Sequence, residues 1–532
     1  MKSFFSSNRP YYLAALLLLP PALLIHSGLM TFIDDESIRS LVALEMKLSG
    51  NYVTPTLNGE YYYNKPPLYN WILLVFFNIA GRFDEFTARI PTLLSLIGFA
   101  ATVFFVFRPK YGTRTAFVNA LVLITCGRIL FWDSMLGLID ICFSWVMFGL
   151  FMVVYHEFRK GRFWRLFLLT YLLTAVGFLM KGLPALVFQA FTLSAYFLYK
   201  REFRRLFSAA HFAGIGLLAL IVGAYYLLYH QYNDLSNVFA TLFDESLKRT
   251  GAHFGWQDTV LHLFSFPLEM VYHFLPWSLM VLYLLRRGVV KQVLQDEFIT
   301  FNLIVFFANI LVYWTSPEVY PRYLLMLAPL LFSAFLYLHE DHAARKTIAF
   351  RVVEGAFSLF LLLIVAGSVA PVLLERTQGV PGLYWKTGLL FLGSGLLAVL
   401  YFRNRDKRLL VMVVALLLMR VGFNWFVLPD RNAEDWGNLC RQSTIEAGLQ
   451  FRDRPMYLLG DTELQMTNAF YLTNARQQIV PRVAVPTDFN AVYIVHPEAV
   501  LPWPREKVGE FKYRHGKGVL DLVIFSQITE NQ

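Results

Sequence analysis

Long apolar runs, each closed by a short polar or basic segment, dominate the hydrophobic pattern of this chain. A helix of about 20 apolar residues matches the hydrocarbon thickness of a bilayer. Thirteen segments meet that length: 11–30, 88–107, 114–132, 134–156, 164–181, 183–200, 209–231, 263–285, 298–316, 321–339, 350–374, 383–402 and 409–428. The run Leu68–Gly81 is too short for a span and predicts a helix lying in the interface, anchored by Trp71. Residues 11–30 are too long for the core of a signal peptide and read as a retained first span.

The basic residues give the spans a direction. Lys2 and Arg9 precede the first. Clusters at 108–114, 159–165, 200–205, 286–291, 345–346 and 403–408 then follow spans two, four, six, eight, ten and twelve. All fall on one side, which the positive-inside rule makes cytoplasmic. The loops 31–87 and 232–262 then face outward. So does the tail 429–532, where the long apolar runs end and short β-like runs begin: Met456–Leu459, Ala469–Leu472, Ala491–Val495 and Val519–Phe525. The expected architecture is mainly α: a polytopic domain over 1–428 and a small outer α/β domain over 429–532.

Composition agrees. Of 532 residues, 57% are hydrophobic and 16% charged, more apolar and less charged than a soluble domain. The net charge of +10 sits in loops between spans rather than on one basic face, which argues against a nucleic-acid partner. Cys126, Cys142 and Cys440 show neither metal nor redox spacing. His26, His253, His262 and His273 show no ligand spacing either.

Sorting charges by side isolates the candidate chemistry. The outward side carries Asp34, Asp35, Glu36, Lys65, Arg128, Asp133, Lys181, Glu245, Arg249, Glu318 and Arg322. The cations there run against the positive-inside bias. Lys65, Arg128, Lys181, Arg249 and Arg322 would together suit a lipid phosphate, which takes several cations and bidentate arginine contacts. Simpler readings stand beside this one. Lys181 and Arg128 can snorkel to headgroups, the acids at 34–36 can cap a helix over 37–48, and Glu245 with Arg249 is an ordinary i,i+4 pair. Asp133 and Asp140, seven residues apart, would share one helix face about 10 Å apart, with one of them paired to Arg128.

The loop then shows an ordered set of short motifs: Asp35-Glu36, Glu45-Met46, Ser49-Gly50, Val53-Thr54-Pro55, Leu57-Asn58-Gly59 and Lys65-Pro66-Pro67. Ala88-Arg89-Ile90-Pro91, Leu179-Met180-Lys181-Gly182, Phe274-Leu275-Pro276-Trp277 and Arg322-Tyr323-Leu324 follow in order. Over roughly residues 10–335 this set resembles the polyprenyl-phosphate-dependent glycosyltransferases of the GT-C fold, nearest to the bacterial aminoarabinose (lipid A) transferases and protein O-mannosyltransferase-like proteins. The resemblance implies an inverting transfer of a sugar from an undecaprenyl-phosphate carrier to a periplasmic acceptor, lipid A or a related glycolipid first, protein or polysaccharide as alternatives. It implies a monomeric enzyme of the bacterial inner membrane, surrounded by membrane lipids. Asp35 takes the catalytic acidic position, with Glu36 beside it, and Asp133 or its rival Asp140 the second. Lys65 and Arg249 match cations on the carrier phosphate, and Lys181 belongs near the same cavity. A lipid-linked glycan transporter is the other class to weigh, but the paired broken spans and inverted repeats expected of one are not visible.

Three departures matter. Asn64 stands where the resembling proteins often have glutamate before Lys-Pro-Pro, and Ser246 follows Glu245 where they often have histidine. Both positions resemble metal ligands, so no metal or other cofactor is expected here. The third is Ile38-Arg39 in place of Arg-Tyr, which moves the arginine by one position, about 100° around a helix. The sequence leaves open whether Arg39 replaces the missing cation.

Overall fold

A computed structural model describes residues 7–33, 35–247, 256–513 and 517–526. The chain forms two compact units. The first gathers residues 1–26, 92–227 and 236–427, and the second 27–91, 228–235 and 428–532.

The first unit is helical, and the thirteen expected segments fall mainly on helix, though not as thirteen separate rods. Eight of the described helices are long and apolar enough to cross a bilayer. Residues 88–107 and 114–125 are arms of one helix, Glu85–Thr125, kinked at Gly112, whose φ of 74° suits a residue without Cβ, and the rest of segment 114–132 holds the short helix Gly127–Phe131. Segment 263–285 divides into the helix Trp256–His273 and the 3₁₀ helix Trp277–Leu285. Segment 321–339 begins as a 3₁₀ turn, Pro321–Leu324, before the helix Ala328–Arg345. Ile139–Arg159 and Phe163–Lys181 pack as a helical hairpin, reversed at Gly161 with φ 65°.

Buried polar groups tie the unit's first helix to its last. The helix Arg9–Leu24 ends in carbonyls that lack an intrahelical donor and need partners in an apolar surround. Asn424 supplies them. Its Nδ2 donates to Pro21 O at 3.2 Å and Ala22 O at 2.9 Å, and its Oδ1 accepts from Arg420 Nε at 2.7 Å. Asn424 lies in a π-helical turn, Phe423–Val427, that interrupts the α-helical pattern after Gly422.

The second unit packs the loop after the first helix with the tail. The helix Glu36–Ser49 lies against the helices Leu68–Ala80 and Met466–Arg476. Between the first two, Asn58-Gly59 turns a hairpin of β1 (Thr56–Leu57) and β2 (Glu60–Tyr61), with both φ positive, as a two-residue hairpin turn requires. The buried carboxylate of Glu45 holds this turn, accepting from Asn58 N at 2.7 Å, Thr56 Oγ1 at 2.7 Å and Gly59 N at 3.3 Å. Burial pushes its pKa up, while these donors act to lower it.

In the tail, β3 (Met456–Leu459), β4 (Arg482–Val483), β5 (Val492–Val495), β6 (Arg505–Lys512) and β7 (Val519–Phe525) form a mixed sheet of order β4-β3-β5-β7-β6. The β3 pairings are parallel, and β7 pairs antiparallel with β5 and β6. Arg482 N donates to Asn58 O at 3.2 Å, so the hairpin turn meets the β4 edge. The expected strand Ala469–Leu472 is instead helix within Met466–Arg476. Its four apolar residues are all buried, and a short continuous apolar run reads alike as a buried strand or a buried helix. β6, REKVGEFK, lay outside the expected strands because its charged edge lacks the apolar alternation.

One ion pair fixes the start of the loop. Arg89 is 2% exposed and Glu36 fully buried. Arg89 donates from Nε and Nη2 to the two carboxylate oxygens of Glu36, at 3.1 and 2.7 Å. Its remaining N–H groups reach Ser27 O at 2.6 Å, Met30 O at 3.1 Å and Thr31 O at 3.3 Å. Breaking a buried pair from one side leaves an uncompensated charge and costs about 3–5 kcal/mol. Glu36→Ala is therefore expected to lower the unfolding midpoint in detergent by several degrees or to abolish recovery of folded protein. Asp35→Ala, outside this pair, leaves the midpoint near that of the parent.

Candidate active site

The first unit brings four of the sequence-predicted residues into one buried group and a fifth beside it. Asp140 opens the helix Ile139–Arg159, and Lys181 closes Phe163–Lys181. The hairpin of these two helices sets an N-terminal carboxylate beside a C-terminal ammonium, each favoured by its helix dipole. Lys181 donates to Asp140 Oδ1. Arg322, in the 3₁₀ turn, lies with Nε 3.5 Å from Asp140 Oδ2. The three are 8%, 4% and 3% exposed, so neither cation reaches solvent as a snorkelling side chain would. Tyr323 packs between them: its ring centre is 4.2 Å from Lys181 Nζ and 5.6 Å from Arg322 Cζ.

Asp133 and Arg128 complete the group. Arg128 Nε donates to both Asp133 oxygens, at 3.1 and 3.2 Å, as expected for one of the two acids. The two aspartates do not share a helix, however. Asp133 begins a 3₁₀ turn, Asp133–Met135, and Leu136 and Leu138 are extended before the next helix starts. The predicted single helix face fails there because Gly137 and the turn end one helix before the other begins. Asp133 is 1% exposed. Burial pushes its carboxyl up to about 6, against the opposing pull of Arg128 and Arg322, with Asp140 adding to the rise.

An apolar cavity of about 250 Å³ lies in the same unit, lined by Phe274, Ser278, Phe306, Trp314, Leu324 and Phe332 among others. Two segments belong to both features. The turn Pro321–Leu324 carries Arg322 at the carboxylate and Leu324 on the cavity wall. Gly127 N donates to Leu275 O at 2.7 Å, tying the residue before Arg128 to the residue after Phe274.

The second unit holds the other predicted residues. Asp35 occupies the N-cap position of Glu36–Ser49 but makes no capping hydrogen bond with its side chain. Glu36, the first helical residue, accepts from Ile33 N, three residues before it, at 2.7 Å. Asp35 is left half-buried at the helix start, while Glu36 is engaged by Arg89. Lys65 is half-buried in the turn before Pro66-Pro67, and Asn64 is exposed. Arg39 is buried, donating to the Tyr62 hydroxyl with its guanidinium 5.1 Å from that ring's centre. Asp34, Arg249 and the side chains of Glu245 and Ser246 lie outside the described residues.

Sequence reasoning passed over Arg89, Glu45 and Tyr323 as separate contributors, though each stands inside a motif it singled out. Asn58-Gly59 is itself a hairpin signal that could have found the turn Glu45 holds.

The comparisons bear on the fold. Residues 64–229 match the family model of dolichyl-phosphate-mannose-protein mannosyltransferase. An uncharacterized protein of Aquifex aeolicus (strain VF5) is 24% identical over 277 residues, 51% of this chain and 53% of that protein, so the match spans about half of that relative's length. The crystal structure of ArnT from Cupriavidus metallidurans bound to undecaprenyl phosphate superimposes with a TM-score of 0.68 at 18% identity, over 98% of each chain. The apo structure of the same protein gives 0.68 and 18%, over 96% of this chain and 97% of that one. The chain has this GT-C fold.

The raised Asp133 carboxyl sets a pH test. The folded state keeps a proton that the unfolded state releases near 3.8, so the contribution of Asp133 to stability falls as pH rises from about 4 to about 6 and is level above that. Unfolding midpoints across that range should show a downward component with rising pH that Asp133→Asn lacks. Identical slopes in the two proteins would contradict it.

Proposed function

We propose that this protein, built on the GT-C fold, is an integral-membrane inverting glycosyltransferase that takes a sugar from an undecaprenyl-phosphate carrier and passes it to an acceptor on the periplasmic side of the inner membrane. The observation that carries this reading is the pairing of a cation-rich buried group with an apolar cavity through one short turn. Lys181 and Arg322 both contact Asp140, and Arg128 pairs with Asp133. Three cations gathered in a low-dielectric surround suit a phosphate, which takes several cations and bidentate arginine contacts. The cavity wall that begins at Leu324 suits the apolar chain of the same ligand.

The chemistry follows from that ligand. An acceptor hydroxyl attacks the anomeric carbon as the bond from that carbon to the phosphate oxygen breaks, and polyprenyl phosphate leaves. Asp35 takes the hydroxyl proton as general base. Arg128, Lys181 and Arg322 stabilise the charge that grows on the leaving phosphate. Asp140 holds Lys181 and Arg322 in place, and Glu36 serves Asp35 by fixing the helix start through Arg89. The acceptor we favour is lipid A or a related glycolipid, with the outer α/β domain as its docking region.

The residues present do not suit a metal. Asn64 offers a carboxamide and Ser246 a hydroxyl where the resembling proteins often carry a carboxylate and an imidazole. Metal analysis of the purified protein is expected to find far less than one zinc per chain; a stoichiometric zinc would contradict this.

The direct test incubates purified protein with defined undecaprenyl-phosphate sugars and lipid A and follows products by mass spectrometry. Asp35→Asn is expected to lose at least about a hundredfold in rate while inserting and folding normally. Full activity in that variant would remove Asp35 from the chemistry. Transfer to a peptide but not to lipid A would move the acceptor to protein.

A further inference from the structure

A buried arginine in the first unit's last long helix is held by neutral groups alone. Arg420 lies in Arg408–Gly422 and is 1% exposed. Its Nε donates to Asn424 Oδ1 at 2.7 Å and its Nη1 to Ser134 Oγ at 3.4 Å. The guanidinium stands 5.6 Å from the centre of the Phe423 ring. No carboxylate forms an ion pair with it among the described residues. A guanidinium stays charged at any physiological pH, and a charge kept inside a membrane span marks a functional role with a definite partner.

The distant partner is Ser134, 286 residues away in sequence and next to Asp133 in the 3₁₀ turn Asp133–Met135. Ser134 Oγ donates onward to Leu130 O at 3.3 Å. Close by, Phe131 meets Phe423 edge-on, with ring centres 5.2 Å apart. The segment from Gly127 to Met135 carries both Arg128 and Asp133 on a five-residue helix and a three-residue turn. Elements this short do not hold their own geometry and take it from what they are tied to. Gly127 N is tied to Leu275 O at the front. At the back, Phe131 and Ser134 both meet the end of the last long helix, at Phe423 and Arg420.

That helix end is braced in turn. It passes into the π-helical turn Phe423–Val427, a geometry that recurs at functional sites. Asn424 in this turn fixes Arg420 Nε, donates to Pro21 O and Ala22 O, and meets His26 Nδ1 through its own carbonyl at 2.7 Å. A planar fork can span two partners at once, as a lysine ammonium cannot do with the same rigidity.

We propose that Arg420 is a positioning residue of the transfer site: braced by Asn424, it holds the turn at Ser134 and so sets the places of Arg128 and Asp133. The inference rests on the glycosyl-transfer reading and deepens it, bringing the last long helix into the machinery. Arg420 acts through Ser134, so its loss is felt in rate rather than in acceptor binding.

The test uses the full-length protein with an undecaprenyl-phosphate sugar and lipid A. Ser134→Ala removes one hydroxyl, and Arg420→Gln removes the charge but keeps a neutral donor. Each is expected to lower kcat per folded molecule at least about tenfold and to leave KM for the acceptor within about twofold of the parent. The two act through one contact, so the double variant should lose little more than the worse single variant. A packing role alone would lower the yield or the unfolding midpoint and leave the kcat of folded molecules intact. Parental kcat in both single variants overturns the proposal, and so do fully multiplicative losses in the double variant.

A second readout needs no transfer. Cys126, fully buried, stands immediately before the segment, and Cys142 and Cys440, 8% and 3% exposed, serve as references. N-ethylmaleimide should label Cys126 several-fold faster in both variants than in the parent, with the references unchanged, as read by peptide mass spectrometry. Parental labelling of Cys126, or equal acceleration at all three cysteines, overturns the proposal. If Arg420→Gln fails to fold, Ser134→Ala decides. If the parent transfers sugar from none of the undecaprenyl-phosphate donors, the transfer reading falls, and the Cys126 rates alone decide whether Arg420 holds the turn.

Discussion

Charge removed from water must be matched, and the second unit is organised around one such match. Arg89 stands in the first turns of the long helix Glu85–Thr125 and draws to itself the carbonyls of Ser27, Met30 and Thr31 and the carboxylate of Glu36. A single planar fork thereby sets where the chain goes after residue 26 and where the next helix starts. Asp35 has a defined place because its neighbour is held. The same helix start receives the tail: Glu85 accepts from Tyr471 at 2.6 Å and Arg441 at 2.9 Å. Burial, with Glu85 close by, keeps the Tyr471 hydroxyl protonated, its pKa well above the usual tyrosine value.

The first unit answers the same demand differently. Its acids and cations lie at helix ends, where the dipoles favour them: Asp140 in a first turn and Lys181 in a last. Asp140 meets both Lys181 and Arg322, and Arg128 meets Asp133, so each acid of the group answers a cation brought from another turn or helix end.

The sequence made the spans legible because a bilayer imposes length and composition on every helix that crosses it. Their breaks were harder to see. The 3₁₀ turn at Pro321–Leu324 and the π-helical turn at Phe423–Val427 sit inside apolar runs, where hydropathy carries no sign of backbone geometry. Asp133 and Asp140 were found by charge, but their relative placement depended on an extended link at Leu136–Leu138 that spacing does not encode. Glu36 and Asp35 look equivalent as neighbours. Only the contact with Arg89, 53 residues away in sequence, tells them apart. In the tail, strands with an apolar face were readable and the charged edge strand was not, since edge strands are selected for what they keep away.

That last point bears on the tail's sheet as a whole. An open sheet has two rims of unpaired backbone, each a template for a stray chain. Here β6 presents Lys507 and Glu510 along one rim, braced by Asp521 on β7. The other rim, β4, meets the Asn58-Gly59 turn of the first loop. One border is guarded by charge and the other is occupied by the chain's own loop, so the loop that carries Asp35 also seals the sheet. Selection on this loop therefore answers to colloidal safety as well as to the placement of Asp35. A change at the turn would be felt as a sticking surface as well as a displaced side chain.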